Sequence, residues 1–281
     1  FNDWESLIKL IYEINENIKD YQNINFECLV VNDASSIKQP ELIKPNNIKS
    51  LQILNMKVNK GHARCNAFGI RYVYKNKKFD NLILMDGDGE DRPIEIKNLI
   101  EEITSNPNNS VVAKRIKRSE GFFFQSLYQI HKIITYIFTG KSIRFGNFSC
   151  LTIKDVEKLQ SDASLWSSYS GAVKKNLKQL SEINSIRGLR YFGPSKMSFL
   201  KLLIHSFSII AVFKYQVFLR SSFLIIILAY LNLYLGNSSI FFQILIVLFN
   251  MIIFIISLRE KKNELTNSHN NLDTIKDITH Q

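Results

Sequence analysis

Cysteine is scarce and unpaired: Cys28, Cys65 and Cys150 are the only three in 281 residues, without metal-ligand spacing. An odd, scattered set of this kind argues for buried reduced thiols, and so for a catalytic domain in the cytosol. The opening residues Phe1-Asn2-Asp3 lack the basic start and apolar run of a signal peptide. No segment has the pattern of a nucleic-acid module, although the net charge is +11. The most telling absence is of negative charge: no Asp or Glu lies between Glu182 and Glu260. A basic protein with such a gap points to an anionic membrane surface as its partner.

What fills that gap supports the same reading. Two apolar runs, about Val217 to Leu235 and Ile240 to Leu258, are separated by Gly236-Asn237-Ser238-Ser239. Each approaches the ~20 residues that span hydrocarbon, and the short linker makes them a hairpin. Lys214 and Arg220 flank one end, and Arg259, Lys261 and Lys262 the other. The positive-inside rule then puts both ends in the cytoplasm, in a multi-pass inner membrane protein. Phe199 to Phe213 has helical apolar spacing and suits an interfacial helix. The polar stretch 260–281 reads as a disordered tail.

Upstream, alternating strands and helices over 1–182 predict an α/β domain with a mostly parallel sheet. A helix beginning at Asn2 or Asp3 precedes a strand over Phe26 to Val31 and another over Leu51 to Met56. Leu82 to Met85 reads as a strand buried on both faces, as in a parallel sheet. It stops at Asp86-Gly87-Asp88-Gly89-Glu90, where residues two apart in an extended chain point the same way. Asp86, Asp88 and Glu90 can therefore reach one cation, Mg²⁺ or Mn²⁺ bridging to a substrate phosphate. A solvated turn capping the next helix, with Pro93 in its first turn, competes on equal terms. An EF-hand loop is excluded, because its required Gly and Glu fall on Asp91 and Lys97.

Asp33, after the first strand, suits a nucleotide contact or an ordinary Asx-turn. Asn59 and Gly61 open a helix whose free N–H groups could face an anion. Lys114, Arg115, Lys117 and Arg118 follow the strand at Val111 to Ala113, as a solvated loop or as phosphate ligands. Phe122 to Phe138 is an aromatic helix for the membrane surface or the core. A helical region is read from Lys154 to about Leu180.

In this order the motifs resemble family 2 glycosyltransferases of the GT-A fold, in the branch of polyprenyl-phosphate sugar synthases. Dolichol-phosphate mannose synthase and bactoprenol glucosyltransferases belong to that branch. The resemblance covers nearly the whole chain. Phe1-Asn2 is similar to the end of the family's Pro-x-Tyr-Asn strand, which implies a strand before Phe1. Asn32-Asp33-Ala34-Ser35 resembles Asp-Asp-Gly-Ser, and Asn59 with Gly61 resembles Asn-x-Gly. Asp86 to Pro93 resembles Asp-Ala-Asp-x-Gln-x-Pro-Pro. Lys114 to Glu120 resembles the basic segment, Gly146-Asn147-Phe148 the Gly-Asp-Phe, and Arg190 to Lys196 Arg-x-x-Gly-x-Ser-Lys.

The resemblance implies inverting, metal-dependent transfer from a UDP- or GDP-linked sugar to polyprenyl phosphate at the bilayer. Asp86, Asp88 and Arg118 are implied for catalysis, and Asp86, Asp88 and Glu90 for the metal. Asn2, Asn32, Asp33, Asn59, Gly61 and Asp86 are implied for the nucleotide sugar. Arg115, Arg187, Arg190, Ser195 and Lys196 are implied for the lipid phosphate. Asn147 stands where an acceptor-side base would, and an amide takes no proton at neutral pH. Lipid phosphate needs no base; a saccharide hydroxyl would. A saccharide acceptor or a degenerate membrane interaction protein are the alternatives, and self-association is left open.

Overall fold

The computed structural model describes residues 1–117, 122–194 and 198–279. Its first half alternates as α1 (Trp4–Ile18), β1 (Phe26–Asn32), β2 (Ile48–Met56), α2 (His62–Asn76) and β3 (Asn81–Leu84). A 3-10 turn, Pro93–Glu95, then leads into α3 (Ile96–Ser105) and β4 (Ser110–Lys117). After α4 (Phe122–Thr139) come β5 (Phe145–Thr152), three short helices α5 (Ile153–Leu159), α6 (Ser164–Ser167) and α7 (Tyr169–Asn176), and β6 (Leu180–Ile186).

The strands pair with β7 (Leu272–Ile278) into two sheets, ordered β1-β2-β7 and β3-β5-β4-β6. Helices cover both faces. Val111 and Ala113 of β4 and Phe148 and Cys150 of β5 pack with α1 and α3. Val112, Phe145 and Leu151 from the same strands turn to α2 and α5 to α7. This is the two-residue alternation of a strand with apolar layers on either side.

The sheet is mixed, which corrects the mostly parallel expectation. Among the described residues only β1–β2 and β4–β6 are parallel; β2–β7, β3–β5 and β4–β5 run antiparallel. The inference failed because burial on both faces was taken as a sign of strand direction. Strand β5 is antiparallel to both neighbours and still largely buried. Two-sided burial reports the helical layers alone.

Two boundaries also move. Residues 183–186, beyond the expected domain of 1–182 and at the start of the 183–213 stretch expected to form juxtamembrane helices, lie in β6, so the α/β domain runs past 182. The stretch expected to be a disordered tail is folded: α11 (Lys262–Thr266), a 3-10 turn and β7. Leu265 is fully buried among α2, α6 and α7 residues. Strand β7 satisfies its backbone groups on β2 across six residue pairs, which its polar composition does not reveal.

Between these parts lie α8 (Phe199–Ala211), α9 (Lys214–Leu235) and α10 (Asn237–Ser257). The last two are long and apolar enough to cross a membrane, and their spanning windows are only 11% and 17% buried. Lys214 and Glu260 pair at 3.1 Å across the base of the pair. Because β7 returns to β2, both ends of the helical pair join the α/β domain.

Candidate active site

The acidic turn after β3 is held from inside. Asn147 of β5 donates its amide to Asp86 Oδ1 at 2.8 Å. Asp86 N–H donates to Asp91 Oδ2 at 2.9 Å, and Glu90 N–H donates to Asp88 Oδ1 at 3.1 Å. Gly89 has φ +86° and packs under the Tyr191 ring, where a Cβ would collide. Only glycine meets both demands.

Charge is concentrated here. Burial, then the neighbouring charges of Asp86 and Glu90, push Asp88 up to about 6 against the pull of Glu90 N–H and Arg190. Burial and Asp86 push the buried Asp91 up as well, while Arg115, 3.7 Å away, pulls it down. Both shifts reflect burial first, with neighbouring carboxylate charge added to it.

A second segment closes over the turn. Glu95, buried, accepts from Ser185 Oγ at 2.6 Å and from Ile186 N–H at 3.0 Å, which fixes the end of β6. The chain leaving β6 donates Gly188 N–H to Glu90 O at 2.8 Å and Tyr191 N–H to Asp88 O at 3.0 Å. Arg187 pairs with Glu90, and Arg190 spans Asp88 at 2.9 Å and Asp3. Tyr191 O–H donates to Glu13 of α1, with Lys9 Nζ 4.5 Å from its ring centre. A cleft of about 680 Å³ lies alongside, lined by Lys9, Glu13, Gly89, Arg92 and Tyr191 among others.

The residues expected at the nucleotide form an adjoining polar cluster. The buried Asp33 accepts from Lys60 N–H and Gly61 N–H, both at 2.8 Å, and its carbonyl from Asn59 Nδ2 at 3.0 Å. Asn32 Nδ2 donates to Asn55 at 2.9 Å, and Asn2 meets Ser35 and Ser36 at 2.8 and 2.9 Å. Asp33 thus spends its carboxylate on the turn before α2. Asn2 adjoins Asp3, which Arg190 ties to Asp88, so the two clusters share one edge.

The structure therefore gathers Asp86, Asp88, Glu90, Arg115, Arg187 and Arg190 on one side and Asn2, Asn32, Asp33, Asn59 and Gly61 on the other. The lipid-phosphate arginines are engaged with carboxylates: Arg115 with Asp91, Arg187 with Glu90, Arg190 with Asp88. Arg118, Ser195 and Lys196 lie outside the described residues. Reading the sequence missed Asp3, Asp91, Glu95, Tyr191 and His205. Asp91, inside the acidic motif, and Tyr191, inside the Arg190 to Lys196 segment, lay within local signals; the others are recruited by tertiary contacts.

Among the described residues no three His, Cys, Asp or Glu side chains form a group that could hold a metal ion. A hard divalent cation needs no such group, since Mg²⁺ takes one or two carboxylates with water and substrate phosphates. Asp86 and Asp88 fit that donor set, and the raised Asp88 marks negative charge that a cation would offset. Glu90 is turned to Arg187 instead.

On the remaining side, His205 of α8 packs against His62 at the start of α2, ring centres 5.1 Å apart. Residues 1–156 match the model of Glycosyl transferase family 2. No curated protein matches the chain.

Proposed function

Since the chain belongs to glycosyl transferase family 2 and is a glycosyltransferase, we propose that it makes a polyprenyl-phosphate sugar. The donor is a nucleotide diphosphate sugar, the acceptor a lipid phosphate, and the reaction inverting and metal-dependent. The observation that carries this reading is the Arg190–Asp88 contact at 2.9 Å. It ties the acidic turn to the segment that runs directly into α8 and the two apolar helices. A donor-side carboxylate and a membrane-side guanidinium thus meet at one point, where a sugar would pass from diphosphate to lipid phosphate.

Asp86 and Asp88 would hold Mg²⁺ or Mn²⁺, which when bound stabilises the negative charge developing on the departing diphosphate. The polar cluster of Asn2, Asn32, Asn59 and Gly61 would receive the nucleoside end, with Asp33 shaping its floor. A lipid phosphate oxygen, already ionised, attacks the anomeric carbon opposite the leaving group. Arg115, Arg187, Arg190, Ser195 and Lys196 are assigned to that phosphate, for which guanidinium forks are suited. Closure of 187–191 over the turn would exclude water from the transfer.

In this reading α9 and α10 anchor the enzyme as a hairpin in the cytoplasmic membrane, with the catalytic domain and both hairpin ends in the cytoplasm. The aromatic α4 lies beside α9 at the bilayer surface. The test is transfer of label from UDP- or GDP-sugars to undecaprenyl phosphate in membranes carrying the protein. Label should enter the organic phase with Mg²⁺, disappear with EDTA, and be lost in Asp88→Ala. Metal-independent label, or none extractable, would overturn the reading, and in the second case a saccharide acceptor takes its place.

A further inference from the structure

His205 has no role in this mechanism. His205 sits in the second turn of α8, the helix that packs on α7 of the catalytic domain and on α4, α9 and α10. Its ring lies 5.1 Å from that of His62, tilted by 56°. His62 directly follows Gly61, whose N–H is held by Asp33. His205 thus reaches from the membrane-side helix to the turn that opens the donor cluster.

The charged and titratable groups around it come from four elements. They are His62 of α2, Asp86 after β3, Arg115 of β4 and His131 of α4. His131 is itself engaged, its Nε2 3.1 Å from Ser206 O. His205 is half-buried and, beyond the contact with His62, no hydrogen bond is formed by its ring nitrogens among the described residues. Burial, then His62, hold the ring down to about 4. At neutral pH it is an uncharged imidazole carrying one N–H.

We propose that His205 is an acceptor-binding residue, donating its N–H to a phosphate oxygen of the lipid where α8 meets the catalytic domain. The inference rests on the polyprenyl-phosphate reading above. The position suits it: Asp86 is among the charges it faces, and the helix that carries it packs on the apolar α9 and α10. Asn147 is committed to Asp86, so His205 supplies a polar contact on the acceptor side that needs no proton transfer.

The variants are His205→Phe, which keeps a ring against His62 without an N–H, and His205→Gln, which restores a donor. His205→Phe should raise the KM for undecaprenyl phosphate at least roughly tenfold, the scale of a lost hydrogen bond to a charged group. Its affinity for the nucleotide sugar, measured by calorimetry, should be unchanged, and His205→Gln should recover most of the acceptor KM. On the unaltered protein, undecaprenyl phosphate should protect His205 from acylation by diethyl pyrocarbonate, read by peptide mass, while nucleotide sugar alone should not. An unchanged acceptor KM, equal weakening of donor binding, or no protection would overturn the proposal while leaving the lipid acceptor in place. Failure of the unaltered enzyme to use undecaprenyl phosphate would remove both.

Discussion

At the scale of single residues, the acidic turn ties the proposed chemistry to stability. Asp88 keeps its proton more tightly in the folded protein than the ordinary value of 3.8 allows, up to about 6. The sign follows from linkage. Its contribution is fully present below about 3.8 and is lost as pH rises through about 6. Metal-free protein should therefore lose thermal stability across that window, and Asp88→Asn should flatten the loss; a steeper fall in the variant would contradict the assignment. Gly89 carries a separate expectation. Alanine there meets both the positive φ and the Tyr191 ring. Gly89→Ala should cost about 1–3 kcal/mol, the scale of strain at such a position. Hydrogen exchange should speed up at Gly188 and Tyr191, whose N–H groups donate to the turn.

At the scale of elements, the two strands hardest to find share one disguise. Strand β6 carries Leu180, Ile183 and Ile186, and β7 carries Leu272, Ile275 and Ile278. Apolar residues three apart imitate a helix face and hide the two-residue period of a strand. Each is the last strand of its sheet, where one neighbour and one covered face suffice. Strands β1 to β4 were visible because each carries adjacent apolar residues, such as Leu29 to Val31 and Leu82 to Leu84, which make a short continuous run. The acidic motif was visible for the complementary reason, that carboxylates interrupt such a run abruptly. Its partners Asp3 and Glu95 were not: they reach the turn from α1 and the 3-10 turn, by contacts with no local sequence mark. The folding of the tail gives a direct check. Leu265 is fully buried, so Leu265→Ala should cost about 2–5 kcal/mol, as other large-to-small core changes do. It should also expose 262–279 to protease, whereas a tail that merely dangles would be cut equally in both forms.

At the scale of the whole molecule, the α/β domain receives the chain on both sides of the apolar helices. That arrangement fixes which end of the pair faces which way. Asn237, at the bend between α9 and α10, should lie across the bilayer from the catalytic domain. A membrane-impermeant thiol reagent should label Asn237→Cys only from that opposite side. Cys65 and Cys150 are buried and Cys28 is half-buried, so background labelling is low. Labelling from the catalytic side would mean that the helices lie along the surface.

The return of β7 to β2 also has a bearing on biosynthesis. A ribosome delivers residues 1–182 long before 272–278, and domains generally fold as they emerge. The β2 edge is therefore bare until the chain beyond α9 and α10 has emerged. An unpaired strand edge is an invitation to aggregate or to bind a chaperone. Only a chain whose helical pair has turned back can bring its own last strand to that edge. In the proposed hairpin, completion of the sheet would thus double as a receipt for correct insertion, and molecules that fail it would keep the mark by which the cell can discard them.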